Sequence, residues 1–182
     1  MLPQYDTTAY SNITGFKNLS YNCINFLLNS NEDVWKLLFY NEPDALNKTN
    51  LTAEQKRSLI FAGQPDETLY RVFSSEKQPN AWVHEACILR IFPSVIYPDN
   101  RTVNTIMMTF DIYSHYRIDT LSNHNTRVDT IVEEIVSLFS GSNVGGLGRL
   151  AFNVASSRQD GGRDSGQIPF GGKRIVMSTK MN

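Results

Sequence analysis

Cysteine and histidine are scarce in this sequence, with two and three among 182 residues. Cys23 and Cys87 fall within a predicted helix and a predicted strand. That placement excludes a disulfide framework and fits buried thiols in a reducing compartment. His84, His115 and His124 have no His, Cys, Asp or Glu neighbour at a metal-ligand spacing, so no metal centre is expected. A basic excess is missing too. Seventeen Lys and Arg face eighteen Asp and Glu, for a formal net charge of −1, which argues against a general nucleic-acid or anionic-membrane binder. No apolar run approaches the roughly 18 residues of a membrane span, so no membrane partner is expected. The polar residues 1–12 lack the basic and apolar regions of a secretory leader. The abundance of asparagine creates five N-x-[ST] matches, at Asn12, Asn18, Asn47, Asn50 and Asn100, which read as by-products of composition.

Patterning is clearest between residues 86 and 141. Residues 86–97 are rich in β-branched and aromatic side chains, and Pro98-Asp99-Asn100 supplies a turn. Residues 102–116 alternate, with Ile106, Met108, Phe110 and Ile112 on one face. Thr105, Met107, Thr109 and Asp111 take the other face, which predicts a half-buried strand in an antiparallel sheet. The period then changes. Val128, Ile131, Val132, Ile135, Leu138 and Phe139 recur at helical spacing, while Arg127, Asp129, Glu133 and Glu134 lie largely off that stripe. Asn125 or Thr126 is the expected N-cap and Gly141 the stop.

The remaining chain is placed around this unit. Residues 1–15 read as a loosely ordered arm, and residues 16–182 as a single α+β domain. Within it, residues 16–63 form a helical part and residues 68–182 a sheet covered by a helix at 126–140. The sheet is expected to be antiparallel, with about four to five strands. A first helix is predicted over residues 16–30, and a second, capped by Ser30 or Asn31, carries Trp35 and Tyr40 near its edge. Thr52-Ala53-Glu54-Gln55 has capping-box spacing and opens a helix through about Phe61. Short strands are predicted at residues 68–74, 149–156 and 173–180. Leu150, Phe152 and Val154 share one face of the middle one; Ile175 and Met177, or else Val176, point inward from the last.

Each candidate for chemistry has a plainer reading. Gly145, Gly146 and Gly148 lie between a helix and a strand, the reverse of the order in a phosphate loop, and no G-x-x-x-x-G-K-[ST] phrase exists. His115 has no G-x-S-x-G turn beside it. Glu133 and Glu134 point about 100° apart on a helix and do not form a facing pair. No catalytic centre, cofactor or metal is expected. The one cluster that invites a role comprises Arg158, Asp160, Arg163, Asp164, Lys173 and Arg174, around a loop without apolar residues from 157 to 166. Its charges nearly balance, so it is read as lining a channel or meeting a neighbouring subunit rather than gripping nucleic acid.

Residues 86–182 resemble the tail terminator and related neck-ring proteins of tailed bacteriophages. Four phrases carry the resemblance: Phe110-Asp111-Ile112-Tyr113-Ser114-His115 at the end of a strand; Arg127 through Ile131 to Gly141 in a helix; Gly146-Leu147-Gly148-Arg149-Leu150-Ala151-Phe152; and Phe170-Gly171-Gly172-Lys173-Arg174-Ile175. The helical first third is longer than a minimal terminator needs, which leaves open closure of a tail tube or joining of a portal collar to the parts below. The resemblance implies a non-enzymatic protein of the virion, assembled in the host bacterial cytoplasm. It implies a symmetric ring of six or twelve subunits, contacts with neck, portal or tail proteins, and a channel through which DNA passes. A head-to-tail interface that closes generates such a ring. The contrasting expectation is a small α+β enzyme or ligand-binding domain without a recognisable motif.

Overall fold

Three short helices, the last of them opened by a capping box, build the N-terminal part. The structure, a computed structural model, describes residues 18–63, 70–76, 85–99, 103–145, 148–160 and 170–181; the expected arm at 1–15 and the tip of the 157–166 loop lie outside them. Helix α1 is Leu19–Ser30 and α2 is Asp33–Phe39. The N-cap position of α2 is Glu32, whose side chain makes no cap bond; Asn31, one residue earlier, accepts from the Val34 N–H through Oδ1 at 2.8 Å. A 3₁₀ turn at Ala45–Asn47 leads to α3, Ala53–Ser58. Thr52 and Gln55 form both halves of the capping box there, at 3.2 and 2.8 Å. Thr52→Ala should lower stability by about 1 kcal/mol in a urea titration, the usual cost of a lost hydroxyl cap. Helix α3 is shorter than expected. It stops at Ser58 because Ile60 is drawn into a parallel bridge with Val72.

Five strands follow in a sheet of order β1-β2-β3-β5-β4. They are β1 Val72–Phe73, β2 Cys87–Pro98, β3 Asn104–His115, β4 Ala151–Asp160 and β5 Phe170–Met181. Four of them pair antiparallel, but β1 pairs parallel with β2, so the sheet is mixed. The class is α+β, with the helices concentrated in the N-terminal part. Helix α4, Arg127–Phe139, is capped by Thr126, whose hydroxyl accepts from Asp129 N–H at 3.0 Å. Gly141, at φ 78°, ends it in the left-handed region that glycine adopts without strain.

One apolar cluster joins the helices to the sheet. It includes Leu27, Trp35 and Leu38 from α1 and α2, Phe110 from β3, and Ile131, Ile135 and Phe139 from α4. The Phe139 ring packs 5.0 Å from Phe110 and 5.4 Å from Phe26. Ile106, Met108, Phe110 and Ile112 all face this cluster, as their alternation requires, and Ile175 and Met177 join them from β5. Trp35 is fully buried rather than at an edge, and its Nε1–H donates to Leu27 O at 3.1 Å.

The other face of β3 departs from expectation. Thr109, Asp111 and Tyr113 are buried as well, because a second cluster of Phe73, Ala86, Ile88, Tyr113 and Phe170 covers that end of the sheet. Gly172 makes room for it. A Cβ there would fall 2.2 Å from Ile112 O and 2.6 Å from the Tyr113 ring. A glycine in a strand interior commonly marks such a close approach.

Candidate functional site

Of the six charged residues singled out in sequence, the described side chains of Arg158, Lys173 and Arg174 do not meet in one cluster. Arg163 and Asp164 lie outside the described residues. Asp160 is the last residue of β4, which continues through 157–160 where a loop was expected. Arg158 is exposed on β4. Lys173 and Arg174 are adjacent on β5 and therefore project to opposite faces. Lys173 pairs with Asp129 on α4, and that hydrogen bond holds the Asp129 carboxyl below its ordinary range. Arg174 turns to the far face and donates to both oxygens of Asp111, each at 2.6 Å.

Asp111 is a charge the alternation pattern places toward solvent, yet none of it is exposed. Register explains how it survives there. Arg90 on β2 and Arg174 on β5 stand directly opposite it on the two flanking strands. Arg90 Nη2 lies 3.5 Å from Asp111 Oδ2, and the Arg90 guanidinium stacks 4.6 Å above the Tyr113 ring. A buried carboxylate held between two cations is compensated.

Arg127 is the second charge that the periodicity misplaces. It opens α4 and is fully buried. Its Nε donates to Ile118 O at 3.0 Å; Nη1 donates to Leu37 O and Tyr40 O at 2.6 and 2.7 Å; Nη2 donates to Asn41 O and Glu42 O at 3.2 and 3.1 Å. A guanidinium has five N–H groups, so every donor is used. Desolvation pulls its pKa below the ordinary value, and the neighbouring Asp119 and Glu42 oppose that shift. The residue ties the C-terminal end of α2 and the connection after it to the start of α4.

The polar groups suited to chemistry are mostly occupied by the fold. An open hollow of about 290 Å³ is lined by His124, Asn125, Thr126, Asp129, Thr130 and Glu133. Within it, Thr126 caps α4, Asp129 pairs with Lys173, and the Thr130 hydroxyl donates to Thr126 O. Glu134 points elsewhere and accepts from Asn31 Nδ2 at 2.7 Å. His115 stacks on Tyr116 and meets the edge of Phe170, and burial lowers its pKa. His84 lies outside the described residues. Among the described residues, no group of three His, Cys, Asp or Glu is disposed to hold a metal ion.

The surface feature that stands out is β4 itself. It is outermost in the sheet, and residues 151–158 are exposed on both faces. A register shift between Phe152 and Val154 places these two on opposite faces, each more than two-fifths exposed. Strict alternation had put them together, because a bulge leaves no mark in the spacing of apolar residues. The same strand contains no proline and no lysine, the residues that commonly blunt a sheet edge. On the opposite side, β2 has Pro93 and Pro98 and a register shift between Pro93 and Val95, and β1 is only two residues long. Among the described residues, the sheet thus has one blunted edge and one open edge. The composition of β4 was the available signal for this.

No curated protein matches the chain. Residues 31–178, a span that runs from the second helix into the last strand, match the model of the family described as YomW, which is named after a gene product of a Bacillus prophage region. The chain therefore belongs to the YomW family and is in that sense phage-associated.

Proposed function

We propose that this protein is a structural component of a tailed-bacteriophage virion, forming a closed ring in the neck or at the top of the tail. Its role there is that of a tail terminator or head-tail joining protein, with a channel wide enough to pass DNA and with portal or tail proteins as neighbours. Assembly takes place in the host bacterial cytoplasm, and no catalytic step or cofactor is involved. The observation that carries the reading is the open ten-residue edge of β4. An edge strand exposed in this way is a template for pairing with another chain. The family's phage origin and the order of strand, helix, glycine link and hairpin support the same reading.

The contrasting role, a small-molecule site, would draw on the hollow beside the first turn of α4. Thr126, Asp129 and Thr130, half of its lining residues, already serve the first turn of α4 and the Lys173 pair, which favours the structural reading. Gold-labelled antibody against the protein, applied to particles from an induced lysogen, tests the proposal. Label should collect at the junction of head and tail. Label on the capsid shell or tail tip, or absence of the protein from purified particles, would contradict it.

A further inference from the structure

We propose that the open edge of β4 accepts the N-terminal segment, residues 1–17, of a second copy of this chain. This rests on the ring reading, since it concerns how one copy links to the next. Three observations select the occupant.

The first is that the two edges of the sheet do not match. Pairing β4 of one copy with β2 of the next would set an open edge against a strand that has lost two main-chain donors at Pro93 and Pro98. Pairing β4 with β4 has a different defect. It is a two-fold contact that uses the same edge in both copies and closes after two. A ring linked through the β4 edge therefore takes its partner strand from elsewhere in the chain.

The second is where the chain before α1 departs. Asn22, in the first turns of α1, donates from Nδ2 to Gly145 O at 3.0 Å. A Cβ on Gly145 would lie 3.0 Å from the Asn22 side chain, and one on Gly148 would lie 2.9 Å from Lys180 O. The start of α1 thus sits against the link that feeds β4, beside the end of β5. Asn18, the first described residue, thus lies one turn from the end of the sheet where β4 begins. Seventeen extended residues span up to about 56 Å, and ten strand residues occupy about 33 Å, so the segment can cover β4 of an adjacent copy after crossing to it.

The third is composition. Tyr5, Thr7, Thr8, Tyr10, Ile13 and Thr14 favour strands, and Pro3 is the only proline. Main-chain pairing would supply affinity along the edge, and the exposed Phe152 and Val154 would meet side chains on the two faces.

Disulfide trapping between copies tests this. Cys23 and Cys87 are buried with thiol pKa values pushed up to about 12, so they do not compete. One copy carries Thr8→Cys, and the other carries Val154→Cys, Ser156→Cys or Arg158→Cys. The two are co-expressed, oxidised and separated without reductant. The expected product is a disulfide joining the two variants, with at least one of the three positions forming it strongly. Deleting residues 1–15 should abolish the ring while the thermal midpoint of the domain stays close to that of the full chain. A ring that persists after the deletion overturns the inference and leaves the ring reading standing. So does a ring in which none of the three pairings yields a disulfide between the two variants. A 20.6 kDa species in every preparation removes both.

Discussion

Arg127→Met should cost more than about 4 kcal/mol, enough to unfold a domain of ordinary stability at room temperature. Methionine keeps most of the volume, so the loss is not chiefly a cavity effect. It comes from five main-chain carbonyls, at Ile118, Leu37, Tyr40, Asn41 and Glu42, that lose their donors together. Each buried acceptor left unsatisfied costs about 1–3 kcal/mol, and water reaching the partly buried ones offsets part of the total. Arg127→Lys should recover only some of this, since an ammonium has three donors and no planar fork. Urea unfolding followed by far-UV circular dichroism gives the comparison. A loss below about 1 kcal/mol in the methionine variant would show that the guanidinium is not what ties α2 to α4.

Asp111→Ala carries the next largest effect, about 3–5 kcal/mol, because it breaks a buried ion pair. Here there are two partners, Arg90 and Arg174, on opposite sides of the same carboxylate. Asp111→Asn, which keeps the shape and one acceptor, should cost clearly less. The double variant Asp111→Ala with Arg174→Met should be less destabilised than the sum of the two single changes. Strict additivity would mean that Arg174 does not depend on Asp111. This prediction also separates two roles for Arg174. If its pairing belongs to the fold, Arg174→Met lowers the stability of the subunit; if it belongs to an interface, only assembly suffers.

These two residues show why the sequence reveals the elements more readily than their ties. The strand at Asn104–His115 and the helix at Arg127–Phe139 were legible within about two residues, since their apolar positions repeat at two and at 3.6. The same rule places Asp111 and Arg127 toward solvent, because periodicity reports where apolar residues go and not where a satisfied charge can be buried. The partners lie far off in sequence: Asp111 meets a residue 63 positions away, and Arg127 meets carbonyls up to 90 positions away. The strand β1 was legible within residues 68–74, but its parallel pairing with β2 was not, as pairing direction depends on the path of the intervening chain.

The candidate cluster separated for a related reason. Proximity in sequence suggested that Lys173 and Arg174 act with Arg158, but adjacency on a strand sends them to opposite faces, toward Asp129 and Asp111. The phrases behind the phage resemblance coincide with devices of the fold. Asp111 sits in the first, Arg127 heads the second, and Gly172, under the Tyr113 ring, is the second glycine of the last.

Size-exclusion chromatography with light scattering tests the central claim, that the chain assembles into a closed ring, most directly. The predicted result is one dominant species with a mass six or twelve times 20.6 kDa, unchanged over a wide dilution range. A species of 20.6 kDa at every concentration up to the solubility limit, or a series of masses growing without a fixed end point, would contradict it.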